Sequence, residues 1–528
     1  MEVLVERTTE NAVIGADAAS HRQVMVALSG LMVGLFIAAI DQTIVATALP
    51  AIVTDLGGIR YLSWIVVGYL LTSTASTPLW GKVGDLYGRR RMFQAAIVVF
   101  LVGSLMCGAA PTMPMLIAGR LVQGLGGGGL FALCFGIVGD LVPPRQRGKY
   151  ISYFAGLFAF AGVVGPLFGG LFTDHLTWRW IFTINLPIGI ASLIVTSLTL
   201  KLPPTRRAAK VDVVGAALLV GGVVCVILGS VWGGDEYGWG SAQIIGLGLA
   251  ALVLLIGFVA WEARAVEPIL PLHLFRNRVA ALLLAMSFLI GPVFYAVASF
   301  IPLMLQAVKG FTATESGLML APHALGLSLT AIITGRLTTR TGRYKHWVIA
   351  GAAVVVAALV VLSRLGVEWH TIAIGAVLFG VGMGLGSLMP VLSAASQNAV
   401  ELKDLGVVTA AVTFFRTLGG TLGVAAFGAV LRARFDTLLV DIAASNELPA
   451  GATTRSLADR PANIVKLTEP LRGLVQHALT RSIAAVFLVA IPFAVLVLVL
   501  GVLLEELPLR ETTGRDSSAQ APEPATTH

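Results

Sequence analysis

Long apolar runs alternate along this chain with short polar segments, many of them basic. A helix needs about 20 largely apolar residues to cross a bilayer. Runs of that length fall at roughly 24–49, 61–80, 92–110, 114–138, 150–173, 178–200 and 211–231. They continue at roughly 242–262, 279–305, 314–336, 347–365, 371–393, 406–431 and 482–504. The pattern predicts an all-α membrane protein with fourteen transmembrane helices. Gly291-Pro292 and Pro302 predict a bend in the ninth span.

One short turn organises the rest. Gly81-Lys-Val-Gly-Asp-Leu-Tyr-Gly-Arg-Arg-Arg91 follows the second span. A worn copy, Gly335-Arg-Leu-Thr-Thr-Arg-Thr-Gly-Arg-Tyr-Lys345, follows the tenth span 254 positions later. Gly81 and Gly88 and the basic residues at Lys82, Arg89 and Arg91 keep counterparts at Gly335, Gly342, Arg336, Arg343 and Lys345, but Asp85 has become Thr339. Such a repeat implies internal duplication, for which transporters are the leading class. A plain six-plus-six duplication places the second copy after the eighth span. Two extra helices therefore lie between the halves, most simply the seventh and eighth. The expected organisation is a tail at 1–23, a six-helix bundle at 24–200 and a linker with two helices at 201–278. A second six-helix bundle follows at 279–505, with a long outer loop at 432–481, and then a disordered tail at 506–528.

Composition agrees with this plan. Of 528 residues, 56% are hydrophobic and 12% charged, about half the charge of a soluble domain. Mean hydropathy is +0.87. The net charge of +8 does not indicate nucleic acid, because the basic residues cluster between apolar runs. With the N-terminus in the cytoplasm, the clusters at 89–91, 145–149, 201–210, 276–278 and 336–345 all fall inside, as orientation by Lys and Arg requires. The expected location is a plasma (inner) membrane, with both termini cytoplasmic. Ala46-Thr47-Ala48 resembles a cleavage site, but the run from Val24 to Pro50 is too long for a signal peptide. Cys107, Cys134 and Cys225 sit in apolar runs with no metal-ligand spacing.

Charges inside spans carry the chemistry, because each is costly there. Asp41 lies in the first span and Arg120 in the fourth. Counted from the outer ends of their spans, they lie roughly 12 Å and 9 Å deep at 1.5 Å per residue. Pairing favours a charged carboxylate and burial a neutral one. A movement that alters either can load or unload a proton, which makes Asp41 and Arg120 candidates for proton coupling. The alternative is a static ion pair. In the fifth span, Gly162-Val-Val-Gly-Pro-Leu-Phe-Gly-Gly170 offers close approach through Gly165 and Gly169 and a bend at Pro166. Gln123, Gln306, His323 and Arg416 are polar positions that a substrate cavity can use; a buried interhelical hydrogen bond is the simpler role for the first three. Gly124-Leu-Gly-Gly-Gly-Gly129 mimics a dinucleotide fingerprint, but it follows a helix and not a strand. No Walker sequence or catalytic triad stands out, so neither ATP hydrolysis nor another enzyme activity is expected.

The turn at 81–91, the segment Arg120–Gly124 and the segment Gly162–Gly170 resemble three motifs of the major facilitator superfamily. Ile40–Pro50 and Trp178–Gly189 resemble motifs of its fourteen-helix drug:proton antiporter subfamily. The resemblance spans roughly residues 24–505. It implies two six-helix bundles that rock about a central cavity, and export of drugs or other hydrophobic or cationic compounds against proton entry. By position, Asp41 and Arg120 match the proton-coupling residues. Gly81, Asp85, Gly88 and Arg89 match the gating turn, while Gly162, Gly165, Pro166, Gly169 and Gly170 match the antiporter segment. Ala46-Thr47 stands where the subfamily often has Asn-Val, which leaves the substrate open. A dedicated natural-product exporter and, more remotely, an uptake symporter are the alternatives. The partners implied are a small-molecule substrate and the bilayer, with no cofactor beyond the coupling proton, and a monomer is the expected working unit.

Overall fold

A computed structural model describes residues 21–56, 62–142, 144–200, 212–233, 237–265, 268–401, 404–445 and 469–508. The first half contains α1 (His21–Leu56), α2 (Leu62–Tyr87), α3 (Arg89–Gly108), α4 (Met113–Leu141), α5 (Pro144–His175), α6 (Trp180–Thr183) and α7 (Asn185–Thr199). Next come α8 (Val213–Trp232) and α9 (Ala242–Glu262). The second half contains α10 (His273–Arg276), α11 (Arg278–Ala307), α12 (Ala313–Leu318), α13 (Ala321–Thr341), α14 (Lys345–Leu362), α15 (Thr371–Asn398), α16 (Leu405–Ser445) and α17 (Leu471–Leu503).

Thirteen of the described segments are long and apolar enough to cross a membrane. The fourteenth expected span is α2. Its 26 residues are long enough, but Ser73, Thr74, Ser76, Thr77, Lys82 and Asp85 dilute its apolar run. Those four hydroxyls are buried, and Thr72 and Ser76 donate to the α4 carbonyls of Leu121 (2.7 Å) and Leu125 (3.2 Å). Part of the polarity of α2 is therefore spent on a neighbouring helix, while Thr77 bonds back to the Ser73 carbonyl of α2 itself at 2.7 Å.

The sequential pairs α3–α4, α8–α9 and α14–α15 pack along their lengths, as do α2–α4, α13–α15 and α11–α16. The halves meet through α5 against α13 and α2 against α16. The inserted pair sits outside that junction, where α8 touches both α2 and α16. The glycines of α4 allow its tight seat: a Cβ at Gly124 would lie 2.3 Å from the Tyr69 carbonyl, and one at Gly126 would lie 2.4 Å from the Phe100 nitrogen. That is the structural use of the false dinucleotide fingerprint.

Several boundaries differ from the pattern in the sequence. The sixth span breaks between α6 and α7, and the tenth between α12 and α13, just before Pro322. The ninth span runs through Pro292 and Pro302 as one helix, α11. The expected outer loop at 432–481 is largely helical at its ends, because α16 continues to Ser445 and α17 begins at Leu471. Helical spacing explains this: Phe435 and Leu439 are buried, as are Leu471, Val475, Ala478 and Leu479, while Arg432, Arg434 and Asp436 stay exposed. The expected tail also begins later than 506. Glu506 accepts hydrogen bonds from the backbone N–H groups of Tyr344 (2.6 Å) and Lys345 (3.0 Å). It thereby satisfies free donors at the start of α14. The tail segment at 1–20 and the stretch 509–528 lie outside the described residues.

Candidate functional site

Asp41 and Arg120 meet inside the first half. Arg120 donates through Nη1 to Asp41 Oδ2 at 2.5 Å, and the two side chains are 2% and 0% exposed. Gln123, three residues along α4, faces the same way. It accepts from Arg120 Nη1 at 2.7 Å and donates through Nε2 to Asp41 Oδ1 at 2.8 Å. Gln123 also donates to Ser104 Oγ at 2.7 Å. Asn185, at the start of α7, donates to Ser104 Oγ at 2.9 Å and to Asp41 Oδ1 at 3.3 Å. Arg120 Nε donates to the Ile65 carbonyl of α2 at 2.9 Å. The Tyr69 ring lies 4.5 Å from the guanidinium carbon, and Phe182 lies 5.9 Å from it. Side chains from α1, α2, α3, α4 and α7 thus converge on one buried ion pair.

Two of these residues escape the sequence reading. Ser104 and Asn185 are short polar residues in apolar runs, and neither is charged. Asn185 stands inside the Trp178–Gly189 segment, and its signal is a polar side chain next to the break between α6 and α7. Gln123 sits in this network, fully buried.

The repeated turn forms a second cluster. Arg89, at the first position of α3, bonds Asp85 Oδ1 at 2.7 Å and Asp140 Oδ1 at 2.8 Å. It also donates to the Gly136 carbonyl of α4. Asp85 and Arg89 thus form an i,i+4 pair across the turn. Gly88 turns the chain with φ 94°, and Gly342 does so in the second copy with φ 70°. Only glycine accepts such angles cheaply. Gly81 is buried on α2, one turn before Asp85. Thr339 in the second copy bonds its own helix, donating to the Gly335 carbonyl at 2.7 Å.

The glycine segment of α5 faces two ways. A Cβ at Gly165 would lie 2.0 Å from Thr43 Oγ1 on α1, two residues from Asp41. Thr43 donates to the Ala161 carbonyl at 3.1 Å, tying α1 to α5. Gly162 and Gly170 look instead toward the second half. Their Cβ positions lie 3.8 Å from Ala324 Cβ and 2.4 Å from Thr314 Oγ1. Gly169 is buried, and its carbonyl accepts from Thr173 at 2.5 Å. Pro166 belongs to α5. At the end that carries the repeated turns, Gly139 of α4 lies against Gln397 of α15. The halves therefore touch near both ends.

The remaining candidates scatter. Gln306 donates to Ser316 at 2.8 Å, and His323 Nδ1 lies 3.4 Å from the Leu378 carbonyl. Both make local helix–helix bonds. Arg416 is half-buried on α16, beside Gly419 and Gly420. Among the described residues no cluster of His, Cys, Asp and Glu could hold a metal ion.

Known proteins resemble this chain in sequence and fold. Residues 31–424 match the model of the Major Facilitator Superfamily. The chain is 36% identical over 429 residues to the multidrug transporter protein MdtP of Bacillus subtilis, covering 81% of this chain and 79% of that protein. It is 35% identical over 468 residues to multidrug resistance protein 3 of the same organism, covering 88% and 91%. Among solved structures, the proton:xylose symporter XylE superposes with a TM-score of 0.56 at 11% identity, covering 89% of this chain and 95% of that one. That last likeness concerns the fold alone. With thirteen membrane-length apolar helices among the described residues, an interior ion pair and a family match over most of its length, the chain belongs to the Major Facilitator Superfamily.

Proposed function

We propose that this transporter is a proton-coupled antiporter that exports hydrophobic organic compounds across the plasma membrane by alternating access. The buried Asp41–Arg120 pair carries this reading. A fixed ion pair needs two partners, whereas Asp41 also accepts from Gln123 and Asn185. Protonation of Asp41 removes its attraction for Arg120, and Gln123 and Ile65 then remain as acceptors for the guanidinium. Arg120 stacks on Tyr69 of α2, and α2 packs on α16 of the other half. Loss of the pair is thereby transmitted to the junction between the halves. Thr43 gives a second route, because it joins the Asp41 helix to Gly165 and Ala161 of α5.

In this reading both termini are cytoplasmic, which puts the Arg89 cluster at the inner mouth. The pair Arg89–Asp85 and Arg89–Asp140 ties α2, α3 and α4 together there. A monomer contains both halves and suffices for the cycle. The energy source is adequate: each charge crossing is worth about 2.3 kcal/mol per 100 mV. The names of the B. subtilis relatives support export, and the breadth of compounds is the point on which a multidrug pump and a dedicated natural-product exporter part.

Inverted vesicles test the coupling. Adding a transported compound to an energised membrane should release protons from the lumen, while an uptake symporter gives the opposite sign. Asp41→Asn should abolish uphill transport and keep compound binding. Normal uphill transport by Asp41→Asn would remove Asp41 from the coupling role. Export measured across a panel of compounds then separates a broad pump from a dedicated one.

A further inference from the structure

The charge of Arg120 is answered by Asp41, and that of Arg89 by Asp85 and Asp140. Arg416 has no such answer. It lies roughly 16 Å along α16 from Leu405 at 1.5 Å per residue, near the middle of a bilayer. Among the described residues it makes no hydrogen bond or ion pair. No Asp or Glu occurs in α11, α13, α14, α15 or α17, nor in α16 before Asp436. Its electrostatic neighbour is the phenol of Tyr295 on α11.

The position of this cation is specific. Tyr295 lies on α11, which packs along α16. Its ring packs against Gly420, where a Cβ would lie 2.2 Å from Cδ2. Helix α16 itself contacts α2 and α4 across the junction. Arg416 and Tyr295 therefore stand where the halves meet. Phe294 lies 5.2 Å from Tyr295 and supplies an apolar flank. An uncompensated cation at this depth is costly, and such groups mark substrate paths and pair with a partner. A guanidinium prefers a planar, two-oxygen partner.

We propose that Arg416, with the Tyr295 phenol beside it, is an anion subsite in the transport path. It takes the carboxylate or other acidic group of an amphiphilic organic substrate. The proposal rests on the exporter reading above and narrows its substrate class to amphiphilic acids.

Equilibrium binding to the full-length protein in neutral detergent tests it, with 11-(dansylamino)undecanoic acid and its primary amide as probes. The wild type should bind the acid at least about tenfold more tightly than the amide. Arg416→Gln should erase that preference while leaving amide affinity unchanged, and Arg416→Lys should keep part of it. Equal affinities in the wild type overturn the proposal, as does a preference that survives in Arg416→Gln. If Arg416→Gln does not fold, Arg416→Lys decides: a reduced preference for the acid supports the subsite, and an undiminished one rejects it. Displacement of the acid by equimolar phosphatidylglycerol makes the occupant a lipid and also overturns the proposal. No gradient is present in this measurement. A protein that binds the acid selectively but moves no protons in vesicles therefore refutes the coupling reading and leaves the subsite standing.

Discussion

Asp41 and Arg120 lie 79 positions apart and yet touch at 2.5 Å, sealed from solvent on every side. Asn185 holds the other oxygen of that carboxylate, Oδ1, and also donates to Ser104 Oγ, which Gln123 reaches as well. Asn185→Leu should remove two donated hydrogen bonds and leave Ser104 Oγ with one donor fewer. The expected stability loss is about 1–3 kcal/mol, seen as a lower Tm in detergent. Uphill transport should fall as well, because Asp41 loses a donor. Unchanged transport, together with an unchanged Tm, would remove Asn185 from the site.

The turn cluster yields an asymmetric pair of variants. Arg89→Ala leaves Asp85 and Asp140 without their shared cation, and transport should fall by at least about tenfold while compound binding persists. Arg89→Lys should recover only part, since a point charge cannot serve two carboxylates and the Gly136 carbonyl together. Thr339→Ala in the second copy should change Tm by no more than about 0.5 kcal/mol equivalent and leave transport near wild type. Equal damage from both sites would show that the two turns share the gating role.

Two glycines three residues apart on α5 should respond differently to the same change. Gly165→Ala drives a methyl group into Thr43 Oγ1 and should cost about 1–3 kcal/mol through overpacking. Gly162→Ala meets only Ala324 Cβ at 3.8 Å, an ordinary contact, and should fold normally. Thermal unfolding of the two purified variants distinguishes them. A Gly165→Ala protein as stable as the wild type would contradict the close contact of α1 and α5.

Acid should loosen the far end of the first half. The indole of Trp178 (2.9 Å) and the guanidinium of Arg179 (2.8 Å) hold Asp55 below its ordinary carboxylate range. A depressed folded-state value contributes stability above the unfolded pKa of about 3.9 and loses it as pH falls through the folded value. The Tm gap between the wild type and Asp55→Asn should therefore exist at neutral pH and close on acidification below about pH 4. A gap that widens in acid would reverse the sign of this linkage.

Much of the architecture is legible in the chain because a bilayer imposes length and polarity rules on each helix separately. The apolar runs at 92–110 and 242–262 need no tertiary information to be recognised. Polar α2 also emerges from length, although Ser73, Thr74, Ser76 and Thr77 lower its hydropathy. The ends of helices are less legible. Phe435 and Leu439 extend α16 past a charged stretch because they find a buried face, which hydropathy averaged over Arg432, Arg434 and Asp436 hides. Glu506 is likewise ordered by a distant helix start that it caps.

By itself the sequence determined the helix count, the duplicated turn, the two intramembrane charges and their similar depths. Each follows from local composition, from spacing or from the cost of a charge in lipid. The tertiary structure decided which polar side chains share a site. Asn185 and Ser104 join Asp41, Gln306 and His323 do not, and Arg416 is left without a counter-charge. That division has a physical reason. An uncharged polar side chain in a helix is cheap enough to face almost any direction, so its role depends on which neighbour turns a donor or an acceptor toward it.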